Sequence, residues 1–261
     1  MKYWEVKLKA DRIGELLLYG PISSSQFWGD EVTPKQIDAD LKNLGELDEL
    51  IVRINSPGGA VFAGQAIYNI IKRHSAPVKS AYIDGLAASM ASIIPLAADK
   101  VIMPANALMM IHKPRLSTSG TSDDLRKAAD FVDKVEGQML DIYAEKSGQD
   151  PATITEMLAA ETWMTAKEAL DLGFIDEIEQ DVRIAASIDG DFLIMGDVKA
   201  DIKEFKNFNP ETYRAGLTTP EPVAIVTSEP QEPEPNKPDL AEQAKDFARL
   251  RAKIYDYKED K

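Results

Sequence analysis

The residues 49–83, ELIVRINSPGGAVFAGQAIYNIIKRHSAPVKSAYI, decide the fold class of this chain. Glu49–Ile54 is an apolar run that predicts a buried strand, and it ends at a Pro-Gly-Gly turn. Apolar residues then recur at helical spacing from Val61 to about Arg73, and Val78–Ile83 predicts the next strand. Strand, helix and strand in this order predict an α/β core with largely parallel pairing.

The same alternation continues on both sides of this stretch. Thr33, Pro34 and Gln36 predict a helix start with a capping box, and Thr165 with Glu168 predicts a second one. The other elements predicted for the core are a strand at Ile13–Tyr19, a helix from Pro34 to about Leu44, a helix at Ser89–Ala98, strands around Val101 and at Met109–Ile111, short helices after Pro151 and Thr165, and a last strand at Phe174–Ile178.

A long helix is predicted from about Asp123 to Ser147, with N-cap oxygens at its start. Its apolar stripe contains Leu125, Ala129, Val132, Val135, Met139 and Ile142. Such a stripe either covers one edge of a small domain or forms a contact between subunits, and the sequence leaves both interpretations open.

The composition excludes several classes of function. A net charge of −14 argues against nucleic-acid binding, which needs a basic face. The absence of cysteine excludes a thiol nucleophile and a thiolate metal site, and dispersed carboxylates offer no metal-ligand spacing. The N-terminus lacks a signal pattern, and no apolar run is long enough to cross a bilayer. We expect a cytoplasmic protein without cofactor, metal, nucleic acid or membrane partner.

The chain changes character after about residue 180. We predict a core domain at 1–180 and an additional segment at 181–209 that contains a hairpin around Asp189-Gly190. Prolines interleaved with Glu and Thr predict a disordered linker at 210–238. Apolar residues at helical spacing predict a short amphipathic helix at 239–261.

Three short motifs could carry chemistry, although each alone also has a structural interpretation. The sequence INSPGG at 54–59 is either a backbone donor loop or a strand-to-helix turn. Small residues surround Ser89, which is either an exposed nucleophile or a helix N-cap. His112 ends an apolar strand and is either catalytic or structural, whereas His74 lies in a polar segment typical of a solvated loop.

Taken together, these motifs resemble the proteolytic subunit of the Clp protease family. The resemblance covers roughly residues 13–180 and rests on INSPGG at 54–59, GLAASM at 85–90, MIHKP at 110–114, GQ at 148–149, MTAKEA at 164–169, Gly173 and Asp176. It implies an α/β fold of the Clp-protease and crotonase type, a repeated ββα superhelix with a long protruding helix. It also implies a serine endopeptidase that assembles with itself into a ring.

The resemblance implies a role for individual residues. Ser89 matches the nucleophile and His112 the general base that takes its proton. The backbone N–H groups of Gly59 and Met90 match the oxyanion hole. Glu161 occupies the position of the third triad member, which is usually an aspartate in the family. If Glu161 does not serve, Asp171 and Asp176 are the nearby alternatives.

Departures from the housekeeping enzymes indicate a subgroup. Arg53 stands where those enzymes have an aromatic residue of the ATPase docking pocket, and the hairpin and Pro-rich tail are additional. These features are more similar to Clp-related peptidases of tailed bacteriophages and prophages, which cleave scaffold and capsid proteins during head maturation. This interpretation implies the bacterial or phage-infected host cytoplasm and no docking of a Clp ATPase. The alternative is a housekeeping ATP-dependent subunit that works with an unfoldase.

Other function classes fit the residues less well. Crotonase-like acyl-CoA enzymes share the architecture and the glycine-containing loop, but they need no serine and histidine in these motifs. A non-catalytic scaffold protein has no use for Ser89 and His112. A serine–lysine peptidase would need a particular lysine, and nothing in the sequence distinguishes one.

Overall fold

The computed structural model describes residues 4–24, 33–179 and 186–210. The strands in this part of the chain are β1 (Trp4–Ala10), β2 (Ile13–Tyr19), β3 (Glu49–Ser56), β4 (Val78–Ala88), β5 (Lys100–Pro104), β6 (Leu108–Ile111), β7 (Thr162–Thr165), β8 (Glu177–Glu179), β9 (Ala186–Asp189), β10 (Phe192–Met195) and β11 (Val198–Asp201). The α-helices are α1 (Pro34–Asn43), α2 (Val61–Lys72), α3 (Ser122–Ser147), α4 (Pro151–Ala160) and α5 (Ala166–Asp171).

The main sheet is mostly parallel, which confirms the predicted α/β class. Its order is β1-β2-β3-β4-β5-β8, with β6 joined to β4 and β7 joined to β6. Only the β1–β2 and β6–β7 pairs among these neighbours are antiparallel. Leu16, Val52, Ala81 and Val101 lie in register across four neighbouring strands and are fully buried. Helices pack over this row, so the apolar runs of the sequence form the core.

The other face of β4 and β6 is covered by a small three-stranded sheet of order β11-β10-β9. Leu193, Met195 and Ala200 pack against Leu86 and Met110 in a second apolar cluster. The predicted hairpin is therefore present, with β11 as a third strand that the sequence did not indicate. Its two-residue loop lies one position later than predicted, because residue 189 pairs directly with residue 192. We call residues 186–210 the extension.

The apolar stripe of the long helix α3 behaves differently in the two halves of the helix. Val135, Met139 and Tyr143 are buried against the core, so the second half covers the domain. Leu125 and Phe131 in the first half are each 46% exposed. Apart from the contact of Phe131 with Phe62, most of this half is exposed among the described residues.

Several predicted elements differ from the structure for identifiable reasons. The predicted helix at Ser89–Ala98 consists of two short 3₁₀ turns, Ser89–Ser92 and Ile94–Ala97. Pro95 lacks an N–H and cannot continue an α-helical ladder through this segment. Ser89 therefore begins a single 3₁₀ turn and not an α-helix.

Two local predictions at element ends are also wrong in detail. The Thr33 side chain makes no capping bond, and the Gln36 side-chain amide donates to Asp40. Phe174 and Ile175 are buried but precede the last strand, since their N–H groups bond to the Ala169 carbonyl. The capping box of Thr165 and Glu168 is confirmed.

One strand is longer than predicted, two strands were missed, and some predictions fall on residues that the structure does not describe. Strand β4 continues to Ala88, five residues beyond the predicted end. Strands β1 and β7 were not predicted. The predicted linker at 210–238 and the amphipathic helix at 239–261 lie outside the described residues, apart from residue 210. No helix of the described ranges combines the length and apolar character needed to cross a membrane.

Candidate active site

Parallel pairing of β4 and β6 brings Ser89 and His112 together. Ala88 pairs with Met110 in the sheet, so both strands end at the same edge. Ser89 follows the end of β4, and His112 follows the end of β6. The His112 Nε2 atom lies 2.7 Å from Ser89 Oγ, which is a hydrogen bond. The structure thus places both predicted side chains in contact.

The Ser89 backbone adopts an uncommon conformation. Its φ angle is 54°, in the left-handed region that residues with a Cβ rarely occupy. Such backbone strain costs about 1–3 kcal/mol and persists only where neighbouring contacts hold it. A sharp turn of this kind presents the serine hydroxyl at the end of the strand, in contact with His112.

The glycine loop of the INSPGG motif packs directly on this turn. A Cβ added to Gly58 would lie 2.7 Å from both the Ala88 carbonyl oxygen and Ser89 Cβ, and 3.0 Å from the Met90 nitrogen. A Cβ at Gly59 would lie 2.1 Å from the Ile22 carbonyl oxygen. Both positions therefore require glycine for close approach of backbone.

The backbone N–H groups of Gly59 and Met90 are available as donors. The bridge between Ile22 and this loop uses the N–H groups of Ile22 and Ala60 and leaves that of Gly59 unused. Neither Gly59 nor Met90 donates a backbone hydrogen bond to any residue in the described part of the chain. Free N–H groups beside a serine hydroxyl are what an oxyanion requires.

His112 is held in its neutral form by its surroundings. Burial is the main cause that lowers the pKa of the imidazole, and the positive charges of Arg115 and Lys206 lower it further. The Glu161 carboxylate acts in the opposite direction and raises the pKa of His112. A neutral ring can accept a proton at Nε2 from the serine hydroxyl.

Glu161 lies beside the pair but bonds to other groups. Glu161 is buried and caps the C-terminal end of α4, with a φ angle of 52°. Arg115 Nη2 donates to Glu161 Oε2 at 2.7 Å, and the backbone N–H of Asn207 donates to Oε1 at 2.9 Å. No hydrogen bond joins Glu161 to His112 in the ranges that the structure describes. The carboxylate therefore acts on His112 through its charge.

Sequence reasoning missed Arg115 and Asn207, the two partners of Glu161. Arg115 stands three residues after His112, a position at which its charge could have been considered. Asn207 belongs to the extension, 46 residues from Glu161 in sequence, and no local pattern indicates the contact. The extension also packs Phe205 and Phe208 against Trp163, with ring centroids 5.1 and 4.8 Å apart.

The alternative residues considered from the sequence are engaged elsewhere. Asp171 pairs with Lys167 at 2.9 Å, and Asp176 with Lys146 at 2.6 Å. His74 Nδ1 accepts from the Ala76 N–H at 3.1 Å, so this histidine closes the turn after α2. The structure brings none of the three to Ser89.

An apolar groove of about 70 Å³ is lined by residues that follow His112 and the glycine loop in the chain. Pro114 and Leu116 line it from the segment after His112, and Val61 and Phe62 line it from the segment after the glycine loop. Phe131 of α3 completes it, 5.9 Å from the Phe62 ring between centroids. Phe62 is 58% exposed, which leaves the groove open to a ligand.

Arg53 on β3 is paired rather than isolated. It donates two hydrogen bonds to Asp84, at 2.8 and 2.5 Å, and the Tyr19 hydroxyl also donates to that carboxylate. The guanidinium carbon lies 4.9 Å from the centre of the Tyr82 ring. These contacts offset the cost of burying the charge. They make this part of the sheet face polar.

Comparison with known proteins agrees with the geometry. Residues 28–182 match the sequence profile of the family described as Clp protease. The chain is 34% identical over 162 residues to a protein of Chlamydia muridarum named ATP-dependent Clp protease proteolytic subunit 1, covering 58% of this chain and 84% of that protein. It is also 34% identical over 186 residues to proteolytic subunit 3 of Streptomyces coelicolor, covering 68% and 85%. The chain belongs to the Clp protease family.

Proposed function

We propose that this chain is a serine endopeptidase that cleaves peptide bonds through an acyl-enzyme. The observation that carries the proposal is the 2.7 Å contact between Ser89 Oγ and His112 Nε2. Membership of a family of peptidases supports it. The free N–H groups of Gly59 and Met90 beside the serine support it further.

The proposed reaction begins when Ser89 Oγ attacks the carbonyl carbon of the substrate and His112 Nε2 takes the hydroxyl proton. The carbonyl oxygen becomes an oxyanion that accepts hydrogen bonds from Gly59 and Met90. The carbon–nitrogen bond then breaks while His112 gives its proton to the leaving amine. His112 then deprotonates a water molecule that attacks the ester carbon. The bond from that carbon to Ser89 Oγ breaks, His112 returns the proton to Oγ, and the acid product leaves.

The charge of Glu161 favours the imidazolium that forms during both steps. Because Arg115 and Asn207 hold the carboxylate, Glu161 is assigned an electrostatic role and not a direct bond to His112. The apolar groove that Phe62, Pro114 and Phe131 line is proposed to take an apolar side chain of the substrate.

A fluorophosphonate probe tests the mechanism. The probe should label Ser89 in the parent, and mass spectrometry of a digest should locate the label there. Ser89→Ala should abolish labelling and peptide cleavage, and His112→Ala should lose activity comparably because the two groups act as a unit. His74→Ala is the matched control and should keep parental activity. Cleavage by Ser89→Ala at the parental rate would contradict the mechanism.

For the biological role, we propose processing of scaffold or capsid protein during phage head maturation, in the cytoplasm of an infected host or of a bacterium that carries a prophage. Three features support this role. Arg53 and Asp84 form a charged pair where an apolar docking pocket is expected in the housekeeping enzymes. The extension lies beyond the residues that match the family. The Pro-rich sequence after residue 210 can tether the enzyme to an assembly partner.

The second candidate role is that of a housekeeping subunit that works with a Clp ATPase. The names of the relatives, which are ATP-dependent Clp protease proteolytic subunits, favour it. Adding a Clp ATPase and ATP to the purified chain distinguishes the two roles. The phage-type role predicts no degradation of a tagged folded protein, whereas processive degradation would establish the housekeeping role.

A further inference from the structure

A chain of two hydrogen bonds links helix α3 to the Ser89 turn. Ser92 Oγ lies 2.5 Å from the Ser89 carbonyl oxygen and 2.6 Å from the Tyr143 hydroxyl oxygen. A carbonyl oxygen cannot donate, so the single proton of the Ser92 hydroxyl is used on Ser89. The Tyr143 hydroxyl must therefore donate to Ser92. The direction of both bonds is thereby determined, from Tyr143 to Ser92 to Ser89.

Both hydroxyl-bearing residues are excluded from water. Ser92 and Tyr143 each have 0% exposed surface. The Tyr143 ring packs edge-on against Phe174, with centroids 6.0 Å apart. Burial raises the pKa of the Tyr143 hydroxyl, so it keeps the proton that it donates. Without competing water, the two bonds hold their geometry more strongly than exposed bonds would.

The acceptor of this chain belongs to a peptide unit with a second role. The Ser89 carbonyl and the Met90 N–H are the two ends of one planar trans peptide, so they point in opposite directions. A bond that fixes the carbonyl toward the buried Ser92 therefore fixes the Met90 N–H away from it. Gly58 marks where that N–H lies, because a Cβ at Gly58 would be 3.0 Å from the Met90 nitrogen.

We propose that Tyr143 and Ser92 are positioning residues that aim the Met90 N–H at the substrate oxyanion. This inference rests on the proposed serine peptidase function and deepens it. The strained φ of 54° at Ser89 needs such a restraint, since a relaxed turn would rotate the same peptide. Helix α3 thereby contributes to catalysis through Tyr143, although Tyr143 itself does not touch the reacting atoms.

The test compares Tyr143→Phe and Ser92→Ala with a matched control. Ser147→Ala removes another side-chain hydroxyl of α3, whose bond of 2.7 Å goes to the Tyr143 carbonyl and not toward Ser89. We expect Tyr143→Phe to lower kcat for a fluorogenic peptide about tenfold with KM unchanged, because the oxyanion forms only after binding. Ser147→Ala should keep the parental kcat. Circular dichroism verifies that each variant is folded.

Two further readouts separate positioning from a general structural role. The Ki of a peptide trifluoromethyl ketone, which forms an oxyanion on Ser89, should rise by the same factor as kcat falls. The double variant Tyr143→Phe/Ser92→Ala should be no slower than Ser92→Ala, since the chain is already broken at Ser92.

The inference would be overturned by a parental kcat in folded Tyr143→Phe, or by a loss of kcat with an unchanged Ki for the ketone. Should Ser92→Ala fail to fold, Tyr143→Phe alone decides the matter. Failure of the proposed function itself is visible separately, as absence of fluorophosphonate labelling on Ser89 in the parent.

Discussion

The Glu161 carboxylate influences His112 at a distance, because its oxygens bond to Arg115 and the Asn207 N–H. Glu161→Gln keeps the size of the side chain and removes its charge. We expect kcat/KM for a peptide substrate to fall by well over threefold, since the imidazolium loses stabilisation. Activity within about threefold of the parent, or about 0.6 kcal/mol, would mean that Glu161 is not the supporting acid.

Substitution of Arg115 should have the opposite effect on the pKa of His112 to substitution of Glu161. The positive charge of Arg115 lowers the pKa of His112, whereas Glu161 raises it. Arg115→Gln should therefore raise the pKa of His112 and move the acidic limb of the pH–kcat/KM profile to higher pH. Glu161→Gln should move that limb to lower pH. Shifts of the two variants in the same direction would contradict this assignment of charges around His112.

At the scale of elements, the glycine loop and the Ser89 turn interlock through backbone contacts. Gly58→Ala would place a Cβ 2.7 Å from the Ala88 carbonyl oxygen, at a φ of 97°. We expect a loss of stability of about 1–3 kcal/mol and a loss of peptide cleavage, because the turn must shift. Thermal unfolding and kcat measure the two effects.

Gly137 is the matched control for this substitution. It lies inside α3, and a Cβ there would meet no heavy atom within 4 Å. Gly137→Ala should raise stability by up to about 1 kcal/mol, since alanine favours the helix, and should leave kcat unchanged. Equal activity of Gly58→Ala and Gly137→Ala would contradict the contact between the loop and the turn.

At the scale of the whole molecule, we predict that the chain assembles into a closed ring with the active sites facing an inner chamber, and the largely exposed first half of α3 motivates this prediction. Leu125→Lys should shift the protein from ring to protomer in light scattering at micromolar concentration, because it would place a charge in the apolar contact predicted between subunits. Leu8→Lys changes another exposed leucine, on β1, and should leave the ring intact. A parent that is an active monomer would contradict the ring.

The sequence alone determined the order of most core elements and, through the family resemblance, pointed to Ser89 and His112 as the candidate pair. Apolar runs and helical spacing predicted β2, β3, α1 and α2 within a few residues, because these elements bury their patterns in the main core. Ser89 and His112 were paired through the resemblance to the Clp protease family, and the structure brings them together because β4 and β6 are parallel neighbours that end at one edge.

Only the tertiary structure decided how that pair is supported. Glu161 meets Asn207 across 46 residues, and Ser92 meets Tyr143 across 51. Strand β1 has several exposed charged residues and only one buried residue, so the apolar pattern that would predict a strand is weak. It is nevertheless a strand, because it pairs with β2 along its length. Contacts of this kind depend on where separate elements pack in three dimensions, and periodicity within one segment contains no information about that placement.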